Sequence, residues 1–284
     1  MEHQFQQLSP HILIMHAEHE TDRPVLAAIT GERRKVLMVA GNSPGHAELF
    51  CQELAKRGSK PPELLVLTHW HWDHSFGLSA WQAPVIAHEG TAEALAGLGG
   101  RSWSDKDLAE LVLAGVLSEE SAQHIRLEYG DAREITVMNP DIVFSGNIAM
   151  DLGGVTCELS HVGGDHSADS CFLYIREDNV LFLGDALGPS VYGGPRRYSS
   201  TSFLKLLGLA YGYNAQWYVE SHGLPMSLAE FRADLAPWER LARIVDVFGH
   251  NRARVVQELK DYLQLEELPA GLLRGVEYFM AGSK

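Results

Sequence analysis

The run Thr68-His69-Trp70-His71-Trp72-Asp73-His74 gathers three imidazoles and a carboxylate into one short segment. In an extended backbone, alternation sets His69 and His71 on one side, within reach of a single ion, and turns Trp70 and Trp72 the other way, into the core. A turn after them brings Asp73 and His74 round toward a second ion. Imidazole nitrogen and carboxylate oxygen form a borderline-soft donor set, which suits zinc and, less tightly, manganese or iron. One histidine after a strand is usually a polar residue satisfied by its surroundings. Four such groups at this spacing point to metal.

The elements that must position this run can be read around it. A short buried strand over 63–67 leads directly into it. Upstream, apolar runs at 11–15, 24–30 and 35–39 alternate with polar segments, and 44–58 is helical in pattern, so the chain opens β-β-β-α-β. The next strand is 83–87. From 88 to 134 the sequence turns helical and acidic, an insert whose helices are expected to begin at Ser104 and Ser118, where a hydroxyl followed by acids satisfies free amides and the dipole. Strands resume at 135–137, 141–144, 148–151, 155–160, 170–175 and 180–183. A helix over 202–210 and a strand over 216–219 precede a helical extension, 226–284, in which Ser227 and Glu230 fit a capping box and Pro237 should kink or split the helix.

The His-x-His-x-Asp-His run after a strand resembles the hallmark of the metallo-β-lactamase superfamily. That family places a third histidine in a later Gly-His-Ser/Thr-type loop, then a bridging aspartate at a strand end, then a last histidine toward the C-terminal side. Here Gly163-Gly164-Asp165-His166-Ser167, Leu181-Phe182-Leu183-Gly184-Asp185 and Glu220-Ser221-His222-Gly223 follow in that order. The resemblance spans about residues 11 to 225. It implies a first site of His69, His71 and His166, a second of Asp73, His74 and His222, and Asp185 bridging two ions. An apolar strand that ends in a carboxylate would be a costly place for a charge without a cation; the alternative for Asp185 is an exposed turn. The 165–170 loop departs from the commoner Pro-Gly-His form, and Asp169 within it reads as a turn residue. Pro44-Gly45-His46 imitates the third-histidine loop but precedes the motif and more simply starts a helix. His161 is expected to pack or to orient a ligand. His3 and His124 are read with the remaining histidines as surface or structural.

The fold implied is α/β, a four-layer αβ/βα sandwich, as one domain over 1–284 with the 88–134 insert and the C-terminal helices. The chemistry implied is metal-assisted hydrolysis: two zinc ions lower the pKa of water, a metal-bridging hydroxide attacks, and Asp73 both binds the second ion and handles the proton. The expected substrate is a small ester, lactone, thioester or amide. A phosphodiesterase and a mononuclear-iron persulfide oxygenase are the alternatives, with a non-catalytic metal-stapled scaffold last. In the Gly/Pro-punctuated segment 188–198, Tyr192, Arg196 and Tyr198 are the candidate substrate contacts, against a solvated turn.

The composition narrows the partners. With 37 acidic against 23 basic residues the net charge is −14, which disfavours nucleic acid. Three scattered cysteines make no disulfide framework and suit a reducing cytosol. The first ten residues lack a signal-peptide pattern, and no apolar run approaches the ~20 residues that span a bilayer. The expectation is a cytoplasmic protein acting on a small molecule, with no membrane partner; a homodimer stays open.

Overall fold

The computed structural model describes residues 4–131 and 133–283, so His3 and the outermost ends of the expected domain lie outside the described residues. Two β-sheets form its centre. In the first, β1 (Phe5–Ser9), β2 (Ile12–Met15), β3 (Leu26–Thr30) and β4 (Lys35–Met38) run antiparallel through short turns. After helix α1 (Pro44–Lys56) the chain returns as β5 (Leu64–Val66), parallel to β4, and β6 (Val85–His88) and β7 (Ile142–Phe144) extend the sheet in parallel. The second sheet has β8 (Asn147–Asp151), β9 (Thr156–His161), β10 (Cys171–Ile175) and β11 (Val180–Gly184) antiparallel, with β12 (Trp217–Glu220) parallel to β11 and β13 (Met226–Ser227) at the edge.

Alternation explains why the second sheet sits between two layers. On β10 and β11, Leu173, Ile175, Val180 and Phe182 face the first sheet, where they meet Leu37 and Val66 in one buried cluster. Phe172, Leu181 and Leu183 point the other way, into a second cluster beneath α6 (Ser200–Tyr213), α7 (Leu228–Phe248), α8 (Arg252–Leu263) and α9 (Ala270–Gly282). Strands buried on both faces read as continuous apolar runs, as these do. The result is the four-layer αβ/βα sandwich.

The insert folds as α3 (Glu89–Ala96), α4 (Asp105–Leu113) and α5 (Glu119–Tyr129). Ser104 and Ser118 cap α4 and α5 through their hydroxyls, and Ser227 with Glu230 closes a full capping box on α7. Leu108, Leu111, Leu117 and Ile125 build a third apolar cluster around Trp72 and Phe76, so the insert owes its core to the segment that carries the histidine motif.

One local expectation is corrected, and one strand had no counterpart in the sequence pattern. Residues 135–137 form no strand: Ile135 packs into the insert cluster and Val137 against it, so their apolar alternation is satisfied by packing, not by a ladder. β1 was not legible because its Gln6 and Gln7 interrupt the apolar pattern of an edge strand. Of the two outcomes expected at Pro237, a kink or a split, the split does not occur: α7 continues through it, held by packing on α6, α8 and α9.

Because the insert shares its core with the motif, truncating it should be felt globally. Leu108→Ala, at a fully buried site on α4, is expected to lower the unfolding free energy by about 2–5 kcal/mol in urea titration. A loss below about 1 kcal/mol would show that the insert is not consolidated with the sandwich.

Candidate metal centre

Every candidate ligand follows the end of a strand or of its extension. β5 runs on through Leu67 to Thr68, whose carbonyl accepts from Cys171 N at 2.8 Å and so locks the two sheets together at this edge. His71 is the N-cap of a single-turn helix, α2 in chain order being Trp72–Ser75 and the insert helices following it, and that turn aims Asp73 and His74. Ser75 Oγ donates to the carbonyls of Trp70 (2.9 Å) and His71 (3.0 Å), pinning the turn. His166 lies in the loop after β9, Asp185 directly after β11, and His222 after β12. Gly184 takes a left-handed φ of 56° with Thr68 against it, which re-aims the chain so that Asp185 faces inward.

The seven side chains fall into two groups. The ligand atoms of His69, His71 and His166 lie within 4.8 Å of one another, and so do those of Asp73, His74, Asp185 and His222. Asp185 Oδ2 joins the groups: it is 3.8 Å from His69 Nε2 and 3.4 Å from His166 Nε2 on one side, 3.2 Å from His74 Nε2 and 3.5 Å from His222 Nε2 on the other. Asp73 Oδ2 closes the second group at 2.9 Å from His74 and 3.2 Å from His222. Ligands about 2.0–2.1 Å from a tetrahedral zinc ion stand about 3.3 Å apart. The separations here cluster round that value.

The donor set also passes a chemical test of fit. His69 Nε2 and His166 Nε2 are buried with no hydrogen-bond partner among the described residues, an expensive arrangement unless the lone pairs are given to a cation. Burial and the neighbouring imidazoles hold His69 and His71 well below the usual histidine range, so both stay neutral. Burial alone would raise the Asp185 and Asp73 carboxyls, but His74 and His222 outweigh it and keep both ionised. Burial likewise opposes charge on His74, yet Asp73 and Asp185 lift it to about 9. The first group is thus ready for a cation, whereas the second must exchange protons for one.

The site opens into a cavity of about 390 Å³, a size suited to a small molecule. Of the candidate contacts, Tyr192 and Arg196 line it. The Tyr192 ring packs on Trp70 and His71, with ring centres 5.4 and 4.5 Å away, and its hydroxyl meets Ser121 Oγ at 3.3 Å. Trp70 is half-buried, packed against the first-sheet and insert clusters as well as against Tyr192, whereas Trp72 is fully buried. Arg196 pairs with Glu120 of the insert, and Gly193 N donates to Gly115 O at 2.9 Å, so this loop is tied to the insert. Tyr198 is corrected: it is buried under α9, its hydroxyl donates to Leu187 O at 3.1 Å, and it does not reach the metal cavity.

Other residues went unread in the sequence. Asp169, which the sequence reads as a turn residue, is buried; its Oδ2 accepts from Trp70 N (2.9 Å) and Thr91 Oγ1 (2.6 Å), and Ser167 donates to its other oxygen. It therefore fixes the motif from the third-histidine loop. His161 reaches the same loop through Nε2 and Ala168 O at 2.8 Å. His124, which the sequence reads as surface or structural, and Asp22 both line the cavity. No local spacing could have marked them, since their partners lie on distant segments.

The sequence pattern of the Metallo-beta-lactamase superfamily matches residues 18–221. No curated protein matches the chain. Among solved structures it is similar to the metallo-beta-lactamase from Pontibacter korlensis, at 20% identity and TM-score 0.57 over 83% of this chain and 98% of that one. A metallo-beta-lactamase family protein from Thermus thermophilus aligns at 20% identity and TM-score 0.56, over 84% and 83% of the two chains. The stereoselective inverting sec-alkylsulfatase Pisa1 from Pseudomonas sp. aligns at 16% identity and TM-score 0.65, over 96% of this chain but 46% of its own. These likenesses carry the fold alone.

If the two groups hold cations, chelation must remove a stabilising ligand. Protein stripped with a chelator is expected to melt several degrees lower by calorimetry and to recover on addition of zinc. An unchanged melting temperature would contradict the fit of these residues to metal.

Proposed function

The chain belongs to the metallo-beta-lactamase superfamily, and from that membership we propose that it is a dinuclear, zinc-dependent hydrolase of a small ester, lactone, thioester or amide in a reducing cytosol. The observation that carries this reading is Asp185 Oδ2, one carboxylate oxygen 3.2–3.8 Å from imidazoles of both groups. Such sharing suits two ions and argues for hydrolysis over the mononuclear-iron oxygenase.

Held by His69, His71 and His166 and by Asp73, His74, Asp185 and His222, divalent cations would supply an activated water and a Lewis acid for the substrate oxygen. The protein supplies the rest. Asp73, whose Oδ2 lies 3.2 Å from His222 Nε2 in the cavity lining, is the carboxylate we assign to hold or accept a proton there. Tyr192 stands over His71, and burial pushes its phenol far up, so it remains a donor for a developing oxyanion. Asp22, Glu120 and Glu220 line the wall, and Arg196, the one arginine there among the described residues, is engaged by Glu120, which disfavours a polyanionic substrate and puts the phosphodiesterase second. The alkylsulfatase likeness adds secondary alkyl sulfates to the substrates worth testing.

Zinc-loaded protein is expected to turn over at least one chromogenic ester, lactone, thioester or amide, with His71→Ala as the blank. On that substrate Tyr192→Phe should cost about 10²–10³ in kcat, the scale of a lost oxyanion donor, while Tyr198→Phe leaves kcat/KM within about twofold and costs about 1 kcal/mol of stability. Equal activity in Tyr192→Phe would remove Tyr192 from the mechanism; turnover of phosphodiesters alone would overturn the substrate class.

A further inference from the structure

Asp22 stands where the loop between β2 and β3 meets both the insert and the metal centre. Its backbone is left-handed, with φ 60°, a region uncommon for residues with a Cβ but one that Asp and Asn enter more readily than the rest. The loop around it is pinned on every side. Glu18 and Arg23 exchange backbone hydrogen bonds at 2.9 and 2.8 Å, and Val25 N donates to Ser221 O at 2.7 Å, next to His222. Thr21 Oγ1 (2.5 Å) and Arg23 Nη2 (2.9 Å) both donate to the buried Glu128 of α5.

This pinning delivers one carboxylate between two imidazoles. Asp22 Oδ1 is 3.6 Å from His222 Nδ1, and Asp22 Oδ2 is 3.6 Å from His124 Nδ1. Both nitrogens are buried and lack a hydrogen-bond partner among the described residues. A shift of a few tenths of an ångström brings each within hydrogen-bond range. The chemistry requires such a shift at His222, because an imidazole that gives Nε2 to a cation carries its proton on Nδ1, and that buried N–H needs an acceptor. His222 Nε2 is the nitrogen turned to Asp73 and Asp185, at 3.2 and 3.5 Å.

We infer that Asp22 is the positioning residue of the second cation site: it accepts from His222 Nδ1, fixes the tautomer and ring plane, and is itself held by His124 of the insert. The chain His124, Asp22, His222 makes cation affinity depend on a helix that contributes no ligand. The inference rests on reading the second group as a cation site, and it gives the insert a role beyond walling the cavity.

The test is titration of Co2+ into the metal-stripped full chain, followed by calorimetry and visible absorption. Asn tolerates the left-handed backbone, so Asp22→Asn keeps the loop and removes the acceptor charge; melting of the stripped variants checks that the fold is retained. Wild type is expected to take two equivalents. Asp22→Asn should weaken the second about 10–100-fold, leaving the first within about twofold. His124→Gln should weaken the second less, and the double variant should bind within about twofold of Asp22→Asn, because His124 acts through Asp22. An unchanged second equivalent in Asp22→Asn, or effects of the two substitutions that multiply, would overturn the chain. A single cobalt in wild type would overturn the two-cation reading and this inference together.

Discussion

The structure is organised around a concentration of largely buried lone pairs at the base of an open cavity. Four imidazole nitrogens surround one oxygen of Asp185 within 3.8 Å, at the edge where the two sheets meet. Two of those nitrogens have no hydrogen bond among the described residues. Gathering such groups in a low-dielectric interior is costly unless a cation takes up the lone pairs. The sandwich supplies the rigidity: both faces of β10 and β11 are packed, Cys171 ties the motif strand to the second sheet, and Asp169 and Ser75 fix the backbone between His69 and His74.

The insert belongs to the same design. Its core closes over Trp72 of the motif and Phe76 just after it, and α5 with its cap presents Ser118, Glu120, Ser121 and His124 to the cavity. Glu128, near the other end of α5, is buried. Burial alone would raise its carboxyl, but Arg23, Ser43 and Thr21 donate to it and keep it ionised, anchoring the helix to the first sheet's loops. A helix fixed at one end and lining the site at the other is a wall whose position the sandwich sets. Tyr192 completes that wall through Ser121, and Arg196 through Glu120.

How far this was legible in the sequence depended on distance along the chain. His69, His71, Asp73 and His74 could be read because they are neighbours and strand alternation translates spacing into direction. His166, Asp185 and His222 follow apolar strands, but nothing local groups them; the family resemblance supplied the grouping. Asp169 and Trp70 are 99 residues apart, and Asp22 meets its histidines only through the tertiary fold. A buried carboxylate with distant donors has the same sequence appearance as a turn residue. Tyr192 and Tyr198 share one loop composition yet face opposite ways, a difference set by α9 and the insert. The apolar residues at 135–137 look like a strand because packing and ladder formation favour the same residue types.

Anomalous diffraction from crystals soaked in zinc tests the central claim most directly. Two peaks about 3.5–4 Å apart, one among His69, His71 and His166 and the other among Asp73, His74 and His222, with Asp185 touching both, are predicted. A single peak, or zinc bound away from Asp185, would contradict the shared two-cation centre.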